Sequence, residues 1–382
     1  MDVVPAGAKT TCLKFRRAME ILPQVVELID AGRRFALATV LRAEGSTPQK
    51  VGAKAIIEAD GKIWGTLGGG MVEAETQRRG VEACRSHHPL VFDFKLDDAY
   101  APPASGSPAS ESSAGPICGG TMRILIDPTV AKDRAVYARA ADALRQRQRG
   151  VLLTRIRLQT QPEVQVEWFP QEAVPPDPSF PGAEAVRSCL ERESARLFVE
   201  SSRESSESTE VLVEPLIPKP LLLIAGGGHI GQALARQATL IGFEVTVVDD
   251  RPEFTAPALF PESVSTRRGD VSQEVAAFPL GEDTYVVIVT RGHEQDAVAL
   301  AACIHSPAAY VGMIGSRRKV ALLRQHFLQS GLATAEEFDR VFAPIGLDIG
   351  AVTVPEIATS IAAELIAVRR RQAAASTHMA SQ

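Results

Sequence analysis

Five short stretches of this chain carry residue types and spacings that suit chemistry. In AGGGHIGQAL, Gly226, Gly228 and Gly231 fit the pattern G-x-G-x-x-G, with His229 directly behind the second glycine. In that pattern the first glycine permits a tight turn, the second lets backbone approach a pyrophosphate, and the third lets helix and strand pack closely. A helix opening there offers free N–H groups and a partial positive charge to an anion. Asp249 and Asp250 end the next apolar run, about where an acid accepts hydrogen bonds from ribose hydroxyls. GTLGGGMVE sets Gly68, Gly69 and Gly70 immediately before a helical pattern, with Glu73 one turn in. Two readings stay open there. One is an anion or cofactor contact at the helix start; the other is a packed strand-to-helix turn whose Glu73 favours the helix dipole.

PICGGTM holds Cys118 between Ile117 and two glycines, so little side-chain cover shields the thiol. A thiolate there suits a soft metal or a persulfide relay, while burial as a small hydrophobe is the common alternative. TRGHEQD (residues 290–296) and GMIGSRRK (residues 312–319) follow apolar runs that read as strands. Ser316 can cap the next helix, and His293 can donate to a ligand or cap a helix of its own. Arg317, Arg318 and Lys319 bring positive charge to the positive end of a helix. That placement is unfavourable unless an anion answers it. No acid–base dyad or catalytic triad emerges, so no catalytic residue is assigned.

The elements that position these groups differ between the two halves. From Leu221 onward, strand and helix patterns alternate: Leu221–Ile224, a helix with Ile230, Leu234, Ala238 and Ile241, then Phe243–Val248. Thr284–Thr290, a helix over 295–304, Ala309–Ile314, a helix near Ser316 and another over Pro355–Arg370 follow. This alternation predicts a doubly wound parallel sheet of Rossmann type. The first half reads as mixed α and β. Helices are predicted over 18–31, 71–85 and 136–147, and strands over 35–41, 54–58, 123–126, 152–158, 164–169 and 211–216. Residues 101–116, rich in Pro, Ser, Ala and Gly, predict a mobile loop. Residues 200–210 predict a polar connection, and the prolines at 215, 218 and 220 a hinge.

Composition bounds the function. A chain of 382 residues is long enough for two domains. Its net charge of −5 argues against a nucleic-acid surface, and no apolar run reaches the ~18–20 residues of a membrane span. No signal-peptide pattern opens the chain, so a cytoplasmic location is expected. Five scattered cysteines fit free thiols rather than a disulfide framework, and His87-His88 reads as a solvated pair.

Taken together, the stretches resemble the XdhC/CoxI family, the xanthine dehydrogenase accessory factors. GSTPQKVGAK, GTLGGGMVE and ICGG resemble its N-terminal domain. AGGGHIGQAL, TRGHEQD, GMIGSRRK and PIGLDIGA with EIATSIAAE resemble its Rossmann domain. The resemblance implies an XdhC/CoxI-like domain over 12–216 and a Rossmann-like domain over 217–372. It implies a molybdenum-cofactor chaperone that protects a pterin dithiolene, supports its sulfuration and inserts it into a molybdenum hydroxylase such as xanthine dehydrogenase. A cysteine-desulfurase-type sulfur donor and a homodimer are implied as partners. Cys118, as a candidate ligand of the cofactor's molybdenum, and Gly68–Gly70 become cofactor-side candidates. Gly226, Gly228, Gly231 and Asp249 become the nucleotide site. The glycine fingerprint keeps two alternatives open, an NAD(P)-dependent oxidoreductase and a nucleotide-regulated scaffold.

Overall fold

The computed structural model describes residues 21–96, 119–173, 182–201 and 208–379. The chain forms two compact units, Met1–Pro218 and Lys219–Gln382.

The first unit runs α1 (Ile21–Asp30), β1 (Phe35–Gly45), β2 (Lys54–Glu58), β3 (Ile63–Gly65), α2 (Gly70–Ser86), β4 (Leu90–Leu96) and β5 (Gly120–Asp127). It continues with α3 (Arg134–Arg145), β6 (Gly150–Arg157), β7 (Glu163–Pro170), α4 (Ala183–Arg192), β8 (Arg196–Ser201) and β9 (Ser208–Leu216). Two antiparallel sheets result, ordered β3-β2-β1-β5-β4 and β7-β6-β9-β8. Strand alternation sorts β1 between two cores. Ala36, Ala38 and Val40 face Val72, Ala83 and Cys84 of α2. Phe35, Leu37 and Leu41 face α1, α3 and residues of the second sheet. The faces exchange after Leu41, with Ala43 on the α2 side, and this coincides with an irregularity in the β1–β5 register between Val40 and Arg42, as an inserted residue requires.

The second unit runs β10 (Leu221–Ala225), α5 (His229–Leu240), β11 (Glu244–Asp249), β12 (Ser265–Arg268), α6 (Val271–Ala276), β13 (Thr284–Ile288) and α7 (His293–Cys303). Then come β14 (Tyr310–Met313), α8 (Arg317–Gln329), α9 (Ala335–Asp339) and α10 (Val354–Met379). All five strands are parallel, in the order β12-β11-β10-β13-β14. Every residue of β10 and β13 is buried, because helices cover both faces. Leu221, Leu223 and Ala225 pack towards α6 and α7. Leu222 and Ile224 pack towards α5 and α10. Each fully buried Leu or Ile contributes roughly 1.5–3 kcal/mol, so the central strands fix the register that presents their carboxyl ends. The connection reverses direction between β10 and β13, which is where ligands enter such sheets. The mixed α/β unit and the parallel Rossmann sheet expected from the sequence are both present. The edge strand β12 and the short α6 and α9 add to the sequence reading, and α10 runs on to Met379.

Candidate functional site

In the first unit, three sequence segments meet at one end of the five-stranded sheet. Gly45 pairs with Gly120 at the end of the β1–β5 ladder. A Cβ on Gly45 would lie 2.7 Å from the Gly119 carbonyl, and one on Gly120 would lie 2.6 Å from those of Glu44 and Ser46. A Cβ on Gly68 would lie 2.4 Å from Pro48. Gly45 and Gly120 therefore let two backbones touch, and Gly68 leaves room for the Pro48 ring. Cys118 lies outside the described residues, as does the 101–116 stretch; Gly119, its neighbour, is at this junction.

Gly68, Gly69 and Gly70 have φ values of 109°, 74° and 61°, a left-handed run that side chains with a Cβ disfavour. The run turns β3 into α2, and Glu73 folds back over it. One carboxylate oxygen of Glu73 accepts from Thr66 Oγ1 at 2.8 Å, Leu67 N at 3.0 Å and Gly69 N at 3.3 Å. Thr66 Oγ1 in turn accepts from Gly68 N. The anion at this helix start is the chain's own.

The second unit's turn is built differently. Only Gly226 of Gly226, Gly228 and Gly231 has positive φ, at 120°. A Cβ there would lie 2.4 Å from the Val289 carbonyl, so the glycine turn lies directly on the end of β13, where TRGHEQD starts. A Cβ on Gly231 would lie 2.0 Å from the Gly226 carbonyl, the close helix–strand approach expected of a third glycine. Gly228 caps α5 with φ −65° and has open space around it. No side chain caps this helix and no acid sits in its first turn, and His229 is exposed. Gln232 Nε2 donates to the Gly227 carbonyl at 2.9 Å and braces the turn from within.

Asp249 ends β11 beside this turn, where the spacing placed it, and it is buried. Its Oδ2 accepts from Gly227 N at 2.8 Å and Arg251 Nη2 at 3.0 Å; its Oδ1 accepts from Arg251 N at 3.0 Å and Nε at 2.9 Å. Burial raises this carboxyl's pKa, but the hydrogen bonds from Arg251 and Gly227 outweigh burial and hold it below its ordinary value. Arg251 stacks over Phe254, with its guanidinium 3.8 Å from the ring centroid.

TRGHEQD and GMIGSRRK, separate in sequence, are joined by one ion pair. Asp296, with no exposed surface, accepts from Thr290 Oγ1 and from Lys319 Nζ. Ser316 caps α8 as expected, its hydroxyl accepting from Lys319 N at 3.3 Å. The anion that answers the basic helix start is thus partly internal: Asp296 takes Lys319, while Arg317 and Arg318 remain exposed. His293 opens α7, with its side chain outside the described set. Sequence reasoning does not single out Arg251 or Asp296, nor pair Lys319 with an acid. The available signal was an acid and a base at the carboxyl ends of neighbouring strands. Buried thiols at Cys84, Cys189 and Cys303 are structural, with burial pushing Cys84 up to about 11 and Cys189 and Cys303 up to about 12. Among the described residues, no group of three or more His, Cys, Asp or Glu could hold a metal ion. No helix among them is long and apolar enough to cross a membrane.

The XdhC Rossmann domain matches residues 222–365, and the XdhC and CoxI family matches residues 28–95. The chain belongs to the XdhC and CoxI family. A Bacillus subtilis protein described as a probable xanthine dehydrogenase subunit is 25% identical over 91% of this chain and 96% of its own length. The molybdenum cofactor insertion chaperone PaoD of Escherichia coli is 24% identical over 92% of this chain and 89% of its own. The uncharacterized protein YqeB of Escherichia coli is 26% identical over 92% of this chain, which spans only 46% of that longer protein. A crystal structure of a xanthine dehydrogenase from Bacillus halodurans shares the fold, with a TM-score of 0.67 and 22% identity over 91% of this chain and 96% of that one. Within the XdhC and CoxI family match, the Rossmann segment contains the glycine turn, Asp249 and the Asp296–Lys319 pair. The N-terminal segment contains Gly45, Pro48, Gly68–Gly70 and Glu73.

Proposed function

We propose that this chain is an accessory protein that binds the molybdenum cofactor, shields it and inserts it into a molybdenum hydroxylase of the xanthine dehydrogenase type. The observation that carries the reading is the uncapped start of α5 beside the carboxyl ends of β10 and β13, with Gly228 leaving it open. Backbone N–H groups at such a start are suited to the phosphate of a pterin cofactor or to the pyrophosphate of its dinucleotide form. Arg317 and Arg318 add exposed positive charge at the end of the adjacent strand pair. The relative named as a molybdenum cofactor insertion chaperone supports the same reading. In the first unit, the junction of Gly45, Pro48, Gly68 and Gly119 is the proposed cofactor-side contact. Cys118, outside the described residues, is proposed as the thiolate that ligates molybdenum and supports sulfuration, with sulfur from a cysteine-desulfurase-type donor. A homodimer, a cytoplasmic setting and NAD(P) as a further occupant of the Rossmann crevice belong to the same proposal.

Cofactor-loaded protein mixed with cofactor-free xanthine dehydrogenase tests it. Activity should appear in proportion to the loaded protein added, and NADH or NADPH alone should not be turned over. Hydroxylase activation no better than that from free cofactor would contradict the proposal, and steady NAD(P)H oxidation would move the reading to an oxidoreductase.

A further inference from the structure

In crevices that bind a nucleotide with a free ribose, the acid ending the second strand accepts from the ribose hydroxyls. Asp249 occupies that position, yet none of its acceptor capacity is free. A carboxylate offers about four lone-pair sites. Here they are met by Gly227 N, Arg251 N, Arg251 Nε and Arg251 Nη2, all at 2.8–3.0 Å. The clamp is also fixed from behind. The Arg251 guanidinium sits 3.8 Å from the Phe254 ring centroid, and the Phe254 carbonyl packs so tightly on Gly227 that a Cβ there would come within 2.3 Å of it. For a ribose hydroxyl to reach Asp249, a charge-assisted N–H must leave and a neutral O–H must replace it, a net loss.

The cationic side of the clamp is still available. Arg251 uses Nε and one Nη2 N–H on Asp249, and its Nη1 has no acceptor among the described residues. Arg268 pairs with Asp249 in the parallel β11–β12 register, which puts both on the same face of the sheet. Arg268 makes no ion pair among the described residues, and it is exposed. The nearby Asp250 is answered by Arg291 at 3.3 Å and by Arg251 at 3.8 Å. We propose that this crevice reads a phosphate monoester where an NAD-type crevice reads a ribose diol, with Arg251 as the specificity-determining residue and Arg268 as its partner. The inference rests on the reading that the crevice of the second unit holds the phosphate end of a ligand. Two sources supply the chemistry: the 2′-phosphate of an NADP-type nucleotide, and the terminal phosphate of the pterin cofactor in its monophosphate form. A dinucleotide form of the cofactor, with free ribose hydroxyls, gains nothing from Asp249.

Calorimetric titration of the full chain decides among these. One arm compares adenosine 2′,5′-bisphosphate with 5′-AMP, and NADPH with NADH. A second arm compares released molybdenum cofactor as the monophosphate and as the cytosine dinucleotide. The monoester should bind roughly 10- to 100-fold more tightly in at least one arm, the size of one or two charge-assisted bonds; the arm that shows it names the source. Arg251→Met should erase the preference, and Arg251→Lys, which keeps the charge without the fork, should restore part of it. Equal or tighter binding of the diol ligands, or a preference unchanged in Arg251→Met, overturns the phosphate preference and leaves the crevice a ligand site. Absence of binding by every probe overturns both.

Discussion

The two glycine turns look alike in sequence and are opposites in structure. GTLGGG uses three left-handed residues to bring Glu73 back over its own N–H groups, so the start of α2 is answered from within. GGGHIG uses one left-handed residue; Asp249 takes a single N–H of the turn, that of Gly227, and otherwise holds Arg251, while Asp296 holds Lys319. Its helix start is left without a capping side chain. Glycine spacing therefore reports where backbone must turn or touch. The destination of the nearby carboxylates decides whether the turn is closed or can receive a ligand.

That comparison can be broken at its strongest point first. Asp296→Ala removes one partner of a buried pair and leaves Lys319 without its anion, which should cost about 3–5 kcal/mol. The loss should appear as a lowered melting transition of the second unit, monitored separately from the first. A shift below about 1 kcal/mol would mean that the pair does not hold TRGHEQD to GMIGSRRK.

Next come the glycines, which should fail for different reasons. Gly231→Ala drives a Cβ into the Gly226 carbonyl and should cost about 3 kcal/mol through overpacking. Gly69→Ala meets open space but keeps a φ of 74° with a ψ of −175°, a region essentially reserved for glycine, so conformational strain of about 2 kcal/mol opposes it. Denaturant unfolding of both variants measures the difference; equal costs would contradict the two mechanisms.

Glu73→Ala should cost about 1 kcal/mol, because Leu67 N and Gly69 N lose their acceptor at a half-buried position. It should also make the first unit responsive to inorganic phosphate: added phosphate should raise the melting temperature of the variant's first unit and leave that of the parent's first unit unchanged. A parent that responds equally would show that Glu73 does not close the turn.

The two turns were legible in the sequence because glycine alone tolerates such backbone positions. The alternation of buried strand and helix was legible because both faces of the parallel sheet are covered. β12 was not, since STRR is a four-residue edge strand without a buried position and carries no apolar pattern. α6 and α9 are too short for helical periodicity to register. Pairings were hidden for a different reason. Asp249 sits where a ribose reader belongs, and only the fold shows that Arg251, two residues on, turns back to take it. Asp296 and Lys319 are 23 residues apart and meet only because β13 and β14 are neighbours.

The smallest effect is a pH dependence. Asp249 titrates below its ordinary 3.8 in the folded chain, because the bonds from Arg251 and Gly227 outweigh burial. Its stabilising contribution is therefore complete above the unfolded pKa of about 3.9 and is lost as pH falls through the depressed folded value. The melting temperatures of the parent and Asp249→Asn should differ at about pH 6 and converge as the pH falls through the depressed folded value of Asp249. A gap that persists in acid would show that the clamp does not depend on the carboxylate charge.

The central claim is that the open start of α5 holds the phosphate end of the cofactor. Gly228→Val tests it most directly, since the new side chain enters free space at an ordinary φ of −65° and should leave folding intact. The measurement is the molybdenum retained by parent and variant after each is mixed with released cofactor and passed through a sizing column. The account predicts that the parent co-elutes with molybdenum and that the folded variant loses most of it. Equal retention by the two would contradict the account and move the grip on the cofactor away from the second glycine turn.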